Sequence, residues 1–331
     1  MLLNIETSIT TFIGAHPVAL SYSKIKTLIE EDYLVCEKTD GIRLMMLILN
    51  GHIYFYDRKN KLYLTDLVFK VPYVFLFDGE LYLEEKQYVY ALFDTLIYDS
   101  KARISLPLTK RLFYCFEFEK IVQKGLVLRK NDSELSNFNI IGKKMYKSYA
   151  FVDILLTLGD LKHENDGLIF TPVNKPYVLS SRSEIFKWKP PHLNTIDFLI
   201  KKTDYPGVMG LFCNVTSQQM SILKKSRSHD TMIKILNFFV QDDLDEDKLN
   251  GKIGEFVLDE NKEVLDLVDF SVEKDGWTLH RIRTDKEQPN NIKIVLDTLD
   301  SIKNSLTQDI LQKFHGAIKE NYKKRAEAQA S

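Results

Sequence analysis

Cysteine is scarce in this sequence. The three residues, Cys36, Cys115 and Cys213, stand far apart with no CxxC and no Cys/His spacing, which excludes a zinc site or a disulfide framework by pattern and points to reduced thiols in an intracellular compartment. Excess charge is also missing. A formal net charge of -1 argues against a protein that coats nucleic acid indiscriminately, so any contact with a polyanion must be focused in a local basic groove. No apolar run approaches bilayer length and no basic segment followed by an apolar one opens the chain, so no membrane segment is expected. Internal repeats and low-complexity tracts are absent as well.

What is present is an ordinary globular balance, 44% hydrophobic and 27% charged residues over 331 positions, enough for two domains. The first half groups aromatic and branched residues in strand-length runs: YLVCEKTDGIRLMMLIL, HIYFYDR, KLYLTDLVF, YVFLFDGELYL and QYVYALFDTLIYD. Their alternation and the turn residues between them predict an antiparallel sheet. Helices are expected over SYSKIKTLIEED, with Ser21 or Ser23 as cap, and around residues 151–159. Pro190 and Pro191 can continue neither a ladder nor a helix, so a domain boundary is placed there. Short strands follow, and from Asn290 a stripe of Ile292, Val295, Leu296, Leu299 and Ile302, continued by Ile310, Leu311, Phe314 and Ile318, predicts a helical C-terminus. The expected division is 1–191, 192–290 and a helical segment 291–331 packed on one of the two domains.

The stretch EKTDGIR places Lys38 between apolar runs. A free lysine has a pKa near ~10.4, so a nucleophilic lysine needs neighbouring cations or partial burial. FKWKPP offers Lys187 and Lys189, two apart on a strand and therefore on one face, where two amines also make a clamp for phosphate. Two apolar strands carry acid-glycine pairs, Asp78-Gly79-Glu80 and Asp166-Gly167. Each alone reads as a hairpin turn, but oxygen ligands of this kind suit Mg²⁺ or Mn²⁺ held with substrate phosphates. Trp188 and Trp277 read as packing residues, and His163 as a solvated loop histidine. KKSRSH reads as a wet basic loop with an affinity for phosphate, and the acidic DDLDEDK is placed away from any phosphate contact.

EKTDGIR, FYDRKN, FDGELYL, ALFDTL, DGLIF, FKWKPP and WTLHRIRTDK occur in the order and at roughly the separations of the colinear motifs of covalent nucleotidyltransferases. Arg43 after KTDGI, the opening FIGAHPVAL, and Trp277 followed by RIRTDK make the set resemble the mRNA capping guanylyltransferases rather than the ATP-dependent ligases. The resemblance spans about Phe12 to Lys286. It implies an α+β fold, with an antiparallel-sheet nucleotidyltransferase domain followed by an OB-fold barrel and a C-terminal helix.

The activity it implies proceeds in two steps. Lys38 attacks the α-phosphorus of GTP, pyrophosphate leaves, and the lysyl-bound GMP passes to the 5'-diphosphate end of RNA. By the same resemblance Arg43, Arg58 and Glu80 hold the ribose, and Phe93 and Ile169 sandwich the guanine. Lys144 donates to the guanine edge, with Lys143 as the alternative register. Lys187 and Lys189 contact the α-phosphate, and Asp166, with Glu80, serves the metal. Arg281, Arg283, Asp285 and Lys286 orient the pyrophosphate from a mobile OB-fold domain. A separate RNA triphosphatase and a separate cap methyltransferase are expected partners, together with the phosphorylated tail of RNA polymerase II. The expected place is the nucleus for a cellular protein, or a cytoplasmic replication site or virion for a viral one. A ligase using ATP and a non-catalytic nucleotide-binding subunit are the competing readings.

Overall fold

The computed structural model describes residues 3–5, 11–69, 71–124, 127–129, 138–180, 182–222, 232–240, 244–265, 272–303 and 306–330. The chain forms two compact units, one of residues 1–189 with 308–331 and one of residues 190–307.

In chain order the first unit carries β1 (Leu3–Ile5), β2 (His16–Ala19), α1 (Ile25–Glu30), β3 (Tyr33–Thr39), β4 (Ile42–Leu49), β5 (His52–Asp57), β6 (Leu62–Phe69), β7 (Phe75–Glu84), β8 (Gln87–Tyr98) and β9 (Lys101–Ala102). It continues with α2 (Leu108–Gln123), β10 (Val127–Arg129), β11 (Phe138–Gly142), β12 (Tyr146–Lys147), α3 (Phe151–Thr157), β13 (Asn165–Pro172) and β14 (Arg182–Trp188). Two sheets result. One is ordered β1-β6-β5-β4-β7-β8-β11, with β10 on β6 and β9 on β8, and the other is ordered β12-β3-β13-β14-β2. The sheets are mainly antiparallel, as the alternation predicts, but β11 joins β8 and β14 joins β2 in parallel.

Sequence alternation does not announce α2. Its buried positions, Leu108, Arg111, Leu112, Cys115 and Phe118, do follow a helical stripe. Aromatic residues at Phe113, Tyr114 and Phe116 mask that stripe by lending the segment a strand-like composition. Its apolar face packs against the large sheet, where Phe118 lies 4.7 Å from Phe77 and 5.5 Å from Phe69, ring centre to ring centre. Burying each such side chain contributes roughly 1.5–3 kcal/mol. The helix expected after Ser21 begins as a 3-10 turn and becomes α1 at Ile25, and neither helix start receives a side-chain cap.

The second unit carries β15 (Thr195–Lys202), β16 (Val208–Asn214), α4 (Ser217–Ile222), β17 (Met232–Phe239), α5 (Glu246–Leu249), β18 (Ile253–Leu265), β19 (Val272–Ile282) and α6 (Ile292–Lys303). Its sheet order, β17-β16-β15-β18-β19, is the strand sequence of an OB fold, with no ladder between the two outer strands among the described residues. Phe198, Phe256 and Trp277 meet edge to face in its core. Trp277 and Trp188 are both packing residues, at 4% and 1% exposure. The basic KKSRSH stretch lies outside the described residues. The chain then returns to the first unit as α7 (Gln308–Lys313) and α8 (His315–Ala330). Arg325 of α8 donates to Asp32 at 2.7 Å and to the carbonyl oxygens of Ile29 and Glu31 at the end of α1.

Candidate active site

The site in the first unit is built on β3, β13 and β14. Directly opposed residues share a face, so the pairing of Ile169 with Cys36 and with Lys187 puts Lys38, Ile169, Lys187 and Lys189 on one side of the smaller sheet. The ladder between β3 and β13 slips by one residue between Asn165 and Leu168, so Asp166 and Gly167 together stand opposite Lys38. A bulge of this kind re-aims a side chain. Here it delivers the Asp166 carboxylate to the Nζ of Lys38 through one oxygen and to the Nζ of Lys189 through the other. Gly167 makes the bulge possible. Its φ is 144°, and a Cβ there would sit 2.0 Å from the Trp188 carbonyl oxygen.

The surroundings are strongly cationic. Desolvation lowers the Lys187 pKa, and the charges of Lys38, Lys189 and Arg58 lower it further against the pull of Asp166. Arg58 keeps solvent-accessible surface, yet desolvation and the Arg43 charge hold its pKa below the ordinary arginine value. Glu80, on the larger sheet opposite Arg43, is pushed up to about 7 by burial, against the opposing charges of Arg43, Arg58 and Lys38. The structure therefore brings Lys38, Arg58, Glu80, Asp166, Lys187 and Lys189 into one charged cradle. No group of three His, Cys, Asp or Glu side chains suited to a metal occurs among the described residues. The donor set fits a divalent cation held by Asp166 together with substrate phosphates, not a cage made wholly of protein.

Arg43 takes a different place. It is 8% exposed and donates to both oxygens of Asp78, at 2.9 and 2.5 Å, and to the Ala15 carbonyl at 2.7 Å. Burial opposes its charge, but Asp78 more than offsets this and raises the guanidinium pKa. Phe93 is half-buried, with its ring centre 5.4 Å from the Arg43 guanidinium carbon.

Of the two adjacent lysines, Lys144 is exposed, whereas Lys143 is buried and donates to Thr39 and, at 2.7 Å, to Glu37, the two neighbours of Lys38 in sequence. His163 is not the solvated loop residue expected. Its side chain is 7% exposed, lies 4.6 Å from the Tyr82 ring, and has Glu37 at 3.6 Å and Glu84 at 3.5 Å. Burial opposes ionisation of Glu37, but His163 and Lys143 hold its pKa below the usual value.

In the second unit the RIRTDK residues form their own cluster around two acids that the sequence reading missed, Asp197 and Glu255. Asp197, 5% exposed, accepts from Arg283 at 3.1 Å and from Lys286. Asp285 pairs with Arg283 at 2.7 Å, an interaction that raises the Arg283 pKa and lowers that of Asp285. Arg281, largely exposed, donates to Glu255. An acid inside the apolar runs TIDFLIKK and KIGEFVLD was the available signal, since a charge at a core position of a strand requires a partner.

Residues 2–191 match the family described as mRNA capping enzyme, catalytic domain, and residues 193–312 match mRNA capping enzyme, C-terminal domain. The mRNA-capping enzyme subunit alpha of Schizosaccharomyces pombe is 29% identical over 348 residues, covering 96% of this chain and 83% of that protein. The subunit of the same name from Saccharomyces cerevisiae is 27% identical over 392 residues, covering 98% and 83%. A solved ATP-dependent DNA ligase from bacteriophage T7, in complex with ATP, aligns at 14% identity with a TM-score of 0.43 over 83% of this chain and 100% of that one. With both of its units matched in order, the chain belongs to the mRNA capping enzyme family.

Proposed function

We infer that the protein is an mRNA guanylyltransferase that works through a covalent lysyl-GMP. The observation that carries this reading is the Nζ of Lys38 facing Asp166 in a cradle shared with Lys187, Lys189 and Arg58. In the first step the Lys38 amine, having given its proton to solvent, forms a bond to the α-phosphorus of GTP as the bond to the bridging oxygen breaks and pyrophosphate departs. In the second a terminal oxygen of the RNA 5'-diphosphate forms the new bond, the phosphorus–nitrogen bond breaks, and Lys38 regains a proton. Dividing one transfer into two is the usual gain of covalent catalysis.

We assign the other roles on the same reading. Lys187 and Lys189 neutralise the α-phosphate, where fixed cations favour the charge that develops as the leaving group departs. Arg58 and Glu80 hold the ribose. Ile169 and Phe93 contact the guanine faces, and Lys143, the buried member of the pair, addresses its edge from beside Thr39. Asp166 would hold a divalent cation, Mg²⁺ or Mn²⁺, which would supply charge neutralisation at the substrate phosphates. Arg281, Arg283, Asp285 and Lys286 orient the pyrophosphate.

The relatives' designation as subunit alpha supports dependence on further polypeptides, and we assign the triphosphatase and methyltransferase steps to these. Their eukaryotic sources support a nuclear site and recruitment by the phosphorylated tail of RNA polymerase II. No helix among the described residues is long and apolar enough to cross a membrane.

The test is a denaturing gel after incubation with α-labelled GTP or ATP and a divalent cation. Label retained from GTP, lost in Lys38→Ala and lost on adding a chelator is the expected result. Label retained from ATP alone would overturn the reading in favour of a ligase.

A further inference from the structure

The opening segment FIGAHPVAL and the buried Tyr177 have no role in the chemistry above, yet they meet at one place. We propose that Tyr177 is a positioning residue for guanine recognition, acting through Asp78 and Arg43 to fix the ring of Phe93 against which the base stacks. This rests on the reading of Phe93 as a base contact.

The chain of contacts is continuous and buried as far as Arg43. Tyr177, 6% exposed, donates its hydroxyl proton to Asp78, and the same hydroxyl accepts the Ala15 amide at 2.9 Å. Asp78 is fully buried and takes Arg43 through both of its oxygens. Arg43 is bound in turn by the Ala15 carbonyl, so Ala15 is tied on one side to Tyr177 and on the other to Arg43. Two rings lie over the guanidinium, Phe12 at 5.5 Å and Phe93 at 5.4 Å. Such stacking of a buried cation on aromatic rings orients both. Gly14 keeps this assembly closed, since a Cβ there would lie 2.2 Å from the Phe12 ring and 3.0 Å from an Arg43 nitrogen.

Phe93 has particular need of such support. The ladder between β7 and β8 pairs Asp78 with Asp94 and Gly79 with Leu92, which leaves Phe93 as the extra residue of a bulge without a partner opposite. A bulged residue has its direction set by what packs on it and not by the ladder. Arg43 supplies that packing while Asp78 and the Ala15 carbonyl fix its guanidinium. Burial and the Asp78 charge both push the Tyr177 pKa up, so the hydroxyl remains a donor across the working range.

Replacing Tyr177 by Phe removes one charge-assisted hydrogen bond and strands the Ala15 amide with little change of volume. Tyr177→Phe should raise the KM for GTP in lysyl-GMP formation roughly threefold to tenfold with kcat held within about twofold, the scale of one such bond partly transmitted. A residue acting through Phe93 must also be coupled to it, so the double variant Tyr177→Phe/Phe93→Ala should have the same KM as Phe93→Ala alone. An unchanged KM in Tyr177→Phe, or losses that add in the double variant, would overturn the proposal. If Phe93→Ala itself leaves the KM unchanged while the wild type forms lysyl-GMP, the base contact at Phe93 falls and the proposal with it, with guanylyltransfer untouched.

Discussion

Asp166 holds Lys38 across 128 positions of sequence, and it does so because a bulge turns the acid toward the amine. Asp166 restrains Lys38 and Lys189 in the free protein, and on the function proposed above it also serves the divalent cation when substrate arrives. Asp166→Asn should therefore lower lysyl-GMP formation by about 100-fold or more, the scale of losing a preorganised charge, while leaving the far-ultraviolet circular dichroism unchanged. Single-turnover labelling checks this, and near-normal rates would remove Asp166 from the chemistry.

Gly167→Ala addresses the bulge itself. At φ 144° with the Trp188 carbonyl in the way, an added methyl group forces the backbone to move. A loss of at least about 2 kcal/mol in unfolding free energy is expected, together with loss of the adduct. Denaturant titration alongside the labelling gel measures both.

Glu80 should impose a pH dependence. With its pKa at about 7, the carboxyl is neutral below that value and ionised above it. If the ionised form accepts from the ribose hydroxyls, the KM for GTP falls as pH rises through about 7, and Glu80→Gln flattens the profile. The stability effect has the opposite sense. The folded chain keeps a proton that the unfolded chain has already released, so stability declines as pH rises from the ordinary carboxylate range toward that value. Thermal melts of wild type and Glu80→Gln across the window separate this group from the others.

Asp197 holds both Arg283 and Lys286. Asp197→Ala should slow formation of lysyl-GMP from GTP by roughly tenfold or more, as expected when charge-assisted bonds are lost. Transfer of GMP from a preformed adduct to diphosphate-ended RNA should slow far less. Equal losses in the two half-reactions would remove the leaving-group role assigned to this cluster.

Much of this was legible in the sequence, for physical reasons. Strand runs declare themselves by alternation, and Lys38, Asp166, Lys187 and Lys189 sit in motifs whose chemistry demands proximity. The register slips were not legible, because a one-residue bulge leaves no mark on composition. They nonetheless decide where Asp166 and Phe93 stand. Nor could the sequence separate Lys143 from Lys144, two identical side chains whose fates are set by the bond from the Lys143 amide to the Leu92 carbonyl just past the end of β11. His163 read as exposed because its neighbours in sequence are polar, whereas its neighbours in space are Tyr82, Glu37 and Glu84.

The return of the chain after α6 makes the second unit an insert: the first unit is assembled from both ends of the polypeptide, with Arg325 of α8 fastened to Asp32 and to the end of α1. Trimming the C-terminus would thus excise a piece of the nucleotide-handling unit. A single protease nick at residues 189–190 or at 307–308 would still leave the two units covalently joined, and only cutting at both places would part them.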